Sequence, residues 1–201
     1  MLLLLFACTP DAQSMIEIEV VQVYASPAAR PWLTELYACA GEHAVGLDFD
    51  PQDAEISIQM GESQNLTLPA YKIGEEELLV AVNEENPIQI AAFEQLQGLF
   101  EGRGDPSVQI WVYSPETDLQ QAFDSMVMRG RRISSNAKVA SGPDQVFTEL
   151  NMDVGAIGIL PRHWIRGTVR DLYSVGFMPV LAVTREEPTG AGQTLLECLQ
   201  E

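Results

Sequence analysis

Two short stretches carry the side chains best suited to chemistry. In VYASPAARPWL, residues 23–33, an apolar run breaks at Ala25, Ser26 and Pro27 before a helical pattern; in VYSPETDLQQAF, residues 112–123, another breaks at Ser114 and Pro115. Ser26 and Ser114 offer hydroxyls that donate and accept, and Thr117 can cap a helix or donate. Ala28 and Ala29 are small enough for a ligand to approach backbone amides. Glu116 and Asp118 add carboxylates, which suit an acid/base pair or simply the positive end of a helix dipole. Helix capping alone accounts for any one of these residue types. The recurrence of the junction is what points to a two-sided site.

The surrounding pattern shows what would position these junctions. IEIEVVQVYA, residues 16–25, reads as a strand, and Trp32, Leu33, Leu36 and Tyr37 mark a helix from about 29 to 40, with Pro31 in its first turn and Gly41 as its stop. HAVGLDF and AEISIQMG read as short strands, and LLVAVN, residues 78–83, as a strand buried on both faces. Phe93, Leu96, Leu99 and Phe100 share a helix face, with Gly102 as its end. VQIWVYS is the next strand and DLQQAFDSMVMRG the next helix; a Ser/Asn/Gly loop leads to the helix DQVFTELNM and the strand GAIGILP, residues 155–161. MPVLAVTRE and GAGQTLLECLQ close the chain as strand and helix. Strands alternating with helices predict an α/β protein with largely parallel sheets.

The 201 residues carry a net charge of −18, and the whole deficit lies before residue 129. Such a surface repels phosphate backbones, so nucleic acid is not an expected partner. Arg129, Arg131 and Arg132 form a short basic cluster that reads as a solvated turn. At the N-terminus, Leu5-Phe6-Ala7-Cys8 has the form of a lipobox, in which Cys8 would be lipidated, with TPDAQS as a polar tether; no basic segment precedes it. Residues 1–14 are then signal and tether, and the protein is expected outside the cytoplasm, anchored to the bacterial membrane by lipid. Cys39 and Cys198 are left either as a disulfide in an oxidising compartment or as buried thiols. With no CxxC and only His43 and His163 as imidazoles, no metal site is expected.

The order of motifs resembles the phosphate-type substrate-binding proteins of ABC importers. VNEENPIQIAAFEQLQGLFEGR is similar to their segment of Val-Asn, Asn-Pro and a Leu-x-x-(Ile/Leu)-Phe-x-Gly helix, and GAIGILP to their Gly-Ala-Ile-Gly-Tyr strand, with Ile159 at the tyrosine position. Ala25-Ser26-Pro27-Ala28 with Pro31 occupies the register of their Gly-Ser-Thr-Thr-x-x-Pro junction. The resemblance implies a two-lobed type 2 periplasmic-binding-protein-like fold of the α/β class, with residues 15–82 plus 177–201 as one lobe and 83–176 as the other. The ligand cleft would lie between the lobes, at the carboxyl ends of strands. Ala25, Ser26, Ala28 and Ala29 would face Ser114, Glu116, Thr117 and Asp118 across it.

The sequence departs from the family where the second lobe usually carries Gly-Ser-Gly-Thr, since Thr117, Asp118 and Leu119 stand there instead. Arg30, at the start of the first helix, and Arg162, after the GAIGILP strand, could each supply a bidentate anion contact, although a surface role accounts for both. The resemblance implies a monomeric, non-enzymatic receptor that binds a small polar or anionic solute, a phosphate-like oxyanion first, and hands it to ABC permease subunits. Two alternatives are a sensor or interaction lipoprotein on a degenerate version of the fold, and an enzyme using Glu116 and Asp118. The sequence lacks a G-x-S-x-G elbow and a P-loop to support the enzyme. No cofactor is expected.

Overall fold

The computed structural model of the chain describes residues 18–62 and 67–200, so the Cys8 lipobox and the tether lie outside the described residues. Among the described residues, eight strands form one mixed sheet in the order β2-β1-β3-β8-β4-β7-β5-β6. They are β1 (Val20–Ala25), β2 (Gly46–Phe49), β3 (Ile56–Met60), β4 (Ala70–Asn83), β5 (Gln109–Tyr113), β6 (Lys138–Ala140), β7 (Ala156–Pro161) and β8 (Val169–Thr184). The helices are α1 (Leu33–Glu42), α2 (Phe93–Phe100), α3 (Asp118–Phe123), α4 (Pro143–Met152) and α5 (Gly190–Leu199).

The long strands β4 and β8 dictate the architecture. They run antiparallel from Ala70 opposite Val183 to Asn83 opposite Val169 and so extend through both halves of the sheet. On one side β3 pairs with the far end of β8, and β1 and β2 continue outward in parallel; α1 and α5 cover this lobe. On the other side Leu78–Val82 of β4 pair antiparallel with β7, and β5 and β6 follow in parallel, covered by α2, α3 and α4. The expectation of largely parallel pairing therefore holds only in the two wings. Through the middle the sheet is antiparallel, because two consecutive crossings between lobes must run in opposite directions.

The central strand is apolar for the predicted reason. Leu78, Leu79, Val80, Ala81 and Val82 are all fully buried, with sheet neighbours on both edges and helices on both faces. The half before them, AYKIGEEE, is also strand, which its charges conceal. Glu76 is only 1% exposed; its carboxylate accepts from Trp32 Nε1 at 3.1 Å and from the backbone N–H of His163 at 3.2 Å, and it pairs with His163 Nδ1. Burial of a charge is tolerated here because each carboxylate oxygen has partners.

Local chemistry sets the element ends. Pro31 sits in a 3-10 turn, Arg30–Trp32, that leads into α1, where Leu36, Cys39 and Ala40 form the buried stripe. The helix runs past Gly41, and the chain turns at Ala44, whose φ of 53° lies in the left-handed region. Beyond Phe123, α3 widens into a π turn, Asp124–Met128, ended by Arg129 at φ 48°. The Ser/Asn/Gly loop contains the short edge strand β6. Gly158 of β7 is required by packing: a Cβ there would overlap Val146 Cγ1 of α4. Phe100 of α2 and Phe123 of α3 pack in a tilted arrangement with ring centroids 4.5 Å apart, and a disulfide between Cys39 and Cys198 joins α1 to α5.

Candidate functional site

A cleft of about 750 Å³ opens where the ends of β1 and β3 face the start of α3 and the middle of β8. Its walls come from both lobes, as the position of strand ends in an open α/β sheet requires. Ser26, Glu116, Thr117 and Asp118 line it. Ala25, Ala28, Ala29 and Ser114 do not appear on its wall. Ala28 and Ala29 are 2% and 0% exposed; their small size lets the turn after β1 pack inside the protein. The Ala29 N–H is already taken by the Ser26 carbonyl at 2.9 Å and by Ser26 Oγ at 3.3 Å. The Ala28 carbonyl accepts from Trp164 Nε1 at 3.2 Å.

The two junctions meet through one side chain. Asp118 Oδ2 accepts from the Ser26 hydroxyl at 2.6 Å and from the Met60 N–H at 3.0 Å, both on the opposite lobe, while Oδ1 accepts from the Leu119 N–H at 2.9 Å. Thr117 acts as the N-cap of α3, accepting from the Gln120 N–H, with its own hydroxyl donated to the Ser114 carbonyl at 2.8 Å. This cap directs Asp118, the first helical residue, toward β3. Gly61, at φ 73°, follows β3 where a Cβ would stand 3.7 Å from the Ala122 Cβ, so the strand end and α3 approach closely there.

Glu116 is exposed at the rim and is held by the Ser114 hydroxyl; that bond, with a further backbone hydrogen bond, keeps its carboxyl below the usual range. Behind the cleft the Tyr113 hydroxyl donates to the Ile159 carbonyl, and burial, reinforced by the Asp118 and Asp144 charges, pushes its ionisation well above the ordinary tyrosine value. Tyr113 is therefore a neutral structural donor at physiological pH.

Charge distinguishes this cleft. Glu62, Glu116 and Asp118 contribute three carboxylates, and among the described lining residues there is no Lys, Arg or His. Arg162, which could have supplied an anion contact, is instead ion-paired with Glu77 at 2.8 Å and Asp171 at 3.6 Å. Arg30 is exposed on the 3-10 turn and does not line the cleft. Sequence reasoning missed the contribution of β3, where Ser57 and Gln59 alternate with buried Ile56, Ile58 and Met60. That polar-apolar alternation was the available signal. It also missed Phe177, two-thirds exposed on the cleft wall. Trp111, placed next to the second junction in sequence, is buried in β5 with Lys138 over its ring and is not on the wall.

No protein-family model and no curated protein matches the sequence. Solved structures do match. A candidate phosphate ABC transporter substrate-binding protein with bound phosphate from Clostridium perfringens superposes with a TM-score of 0.81 at 14% identity, over 90% of this chain and 93% of that one. An ABC-type phosphate transport receptor from Vibrio cholerae gives 0.65 at 14% identity over 91% and 94%. The CcmR regulatory domain of Synechocystis PCC6803 in complex with 2-PG gives 0.67 at 11% identity over 90% and 96%. Identities this low establish architecture and leave the ligand open. The chain has the type 2 periplasmic-binding-protein-like fold, with a cleft between its lobes.

Proposed function

We propose that the protein is an extracytoplasmic solute receptor that holds a small polar solute in the interlobe cleft and presents it to an ABC permease. The observation that carries this reading is the cleft itself. It has the volume of a small-molecule site, it lies at strand ends, and both lobes contribute polar groups to it. Closure of one lobe on the other about the β4–β8 crossing would enclose a solute there. The Cys39–Cys198 disulfide suits an oxidising compartment, and Cys8 is the residue that would carry the lipid.

Isothermal titration against phosphate, sulfate, polyols, amino acids and small amines, together with mass spectrometry of any molecule that co-purifies, tests the receptor. Saturable binding of one class with a shift in Tm is the expected result. An absence of binding across the panel, with nothing co-purifying, would refute it. A second reading, a sensor or interaction lipoprotein, is favoured by the Ser26–Asp118 contact, which ties the lobes through the protein's own side chains; it requires no permease. Pull-down with permease subunits separates the two.

A further inference from the structure

We propose that Asp118 is a specificity-determining residue: its carboxylate fills the oxyanion position of the first lobe, so that the cleft rejects free oxyanions. This rests on the solute-binding reading of the cleft and goes on to name what the site excludes. The Ser26 hydroxyl and the Met60 N–H converge on a single point at hydrogen-bond distance, 2.6 and 3.0 Å, and a carboxylate oxygen occupies that point. Convergent neutral donors of this kind are what a phosphate or carboxylate oxygen seeks. Here the anion is covalently part of the opposite lobe.

Three features make the arrangement a built one. Ser26 is 9% exposed, and its oxygen also accepts from the Ala29 N–H, which orients the hydroxyl proton toward Asp118. The Thr117 cap and the Leu119 N–H hold Asp118 at the start of α3. No cation among the described lining residues offsets a second negative charge, and Glu62 and Glu116 add two more. A free oxyanion entering the cleft would therefore meet its donors already used and three like charges nearby. A tethered anion has no translational entropy to lose on binding, so it outcompetes a free one of the same chemistry.

The test uses inorganic phosphate, with acetate and chloride at matched ionic strength, on the full chain. The variants are Asp118→Ala, Asp118→Asn and the double variant Asp118→Ala/Ser26→Ala. Removing the like charge and vacating the donors is expected to tighten phosphate binding about tenfold or more over wild type. Acetate is expected to raise the Tm of Asp118→Ala and not that of wild type, because it replaces the lost carboxylate. Asp118→Asn, which removes the charge but whose amide oxygen still fills the position, gains less phosphate binding than Asp118→Ala, and the double variant loses the gain. Circular dichroism confirms folding of each variant. If Asp118→Ala is unfolded, Asp118→Ser, which keeps a polar group at the helix start, and Ser26→Ala carry the comparison, with Ser26→Ala expected to lower Tm and Asp118→Ser expected to respond to acetate. Phosphate binding by wild type that is lost in Asp118→Ala overturns the proposal, as does an Asp118→Ala variant indifferent to both phosphate and acetate. Either outcome leaves the receptor reading standing if wild type binds another solute, whereas failure of every solute sinks that reading independently of the Asp118 variants.

Discussion

Breaking the Cys39–Cys198 disulfide is the perturbation whose size follows most directly from the structure. The two cysteines are 159 residues apart in sequence, with Cα atoms 5.9 Å apart, so the bridge restrains nearly the whole folded chain in its denatured state. Chain-entropy reasoning for a loop of 159 residues gives about 5 kcal/mol as a ceiling, and losses of about 2–5 kcal/mol are the common experience. Each kcal/mol moves Tm by about 2–4 °C in a chain of this length. The double variant Cys39→Ala/Cys198→Ala is therefore expected to melt about 10 °C below wild type in differential scanning calorimetry. Each single variant should lose about the same as the double, since the restraint belongs to the pair. Leu195, Leu196 and Leu36 still pack α1 and α5, so the variant should fold. Blocking of free thiols before and after reduction checks that both cysteines are bridged. A double variant that melts within about 2 °C of wild type would refute the reasoning, because a restraint on so long a loop has to appear in the denatured state.

Gly158→Ala is expected to cost about 1–3 kcal/mol by overpacking against Val146; Val146→Ala in the same chain should restore part of it in urea denaturation. Glu76→Ala leaves the Trp32 indole and the His163 N–H without their acceptor in a buried site, at about 1–3 kcal/mol per orphaned donor, and Glu76→Gln should cost less. Glu77 has its carboxyl held below the usual value of 4.5, first by the Ser174 hydroxyl and then by Arg162. A depressed carboxyl contributes stability that is complete above its unfolded-state value and is lost as pH falls through its folded-state value. Glu77→Gln should therefore lower stability near neutral pH and match wild type in strong acid, read as a flattened acid limb of Tm against pH.

Much of the fold was legible where burial and periodicity coincide. LLVAVN announced a strand with both faces covered, and Leu36, Phe93, Leu96 and Phe100 announced helix faces, because the hydrophobic effect writes a period into the residues that obey it. AYKIGEEE was not legible as strand, since a run of glutamates reads as solvated loop. Only partners supplied from far away, Trp32 and His163 for Glu76 and Ser174 and Arg162 for Glu77, make it compatible with a sheet. β6 is three residues long and is specified by pairing with β5, which leaves no periodic trace. At the site, both junctions could be read as strand-to-helix turns with capping residues. The partnership of Ser26 with Asp118 spans 92 residues, and nothing local to either encodes it. The alanines illustrate the converse, for small size served packing instead of ligand access.

The path of the chain through the sheet has a consequence for the order in which it can be assembled during synthesis. Residues between Asn83 and Val169 leave and re-enter the β4–β8 ribbon at directly paired positions, so the second lobe is contiguous in sequence. The first lobe is not. β3 gains its inner neighbour only when Val180–Thr184 of β8 exist, and Cys39 waits for Cys198, 159 residues further along. The early-made lobe must stay incomplete while the later-made one closes its local contacts, which reverses the usual N-terminal-first sequence for domains. A chain truncated before β8 would expose the edge of β3, a strand with one apolar face and free backbone groups, and a template for aggregation. The cleft needs β8 as well as both junctions, so it exists only once β8 has paired.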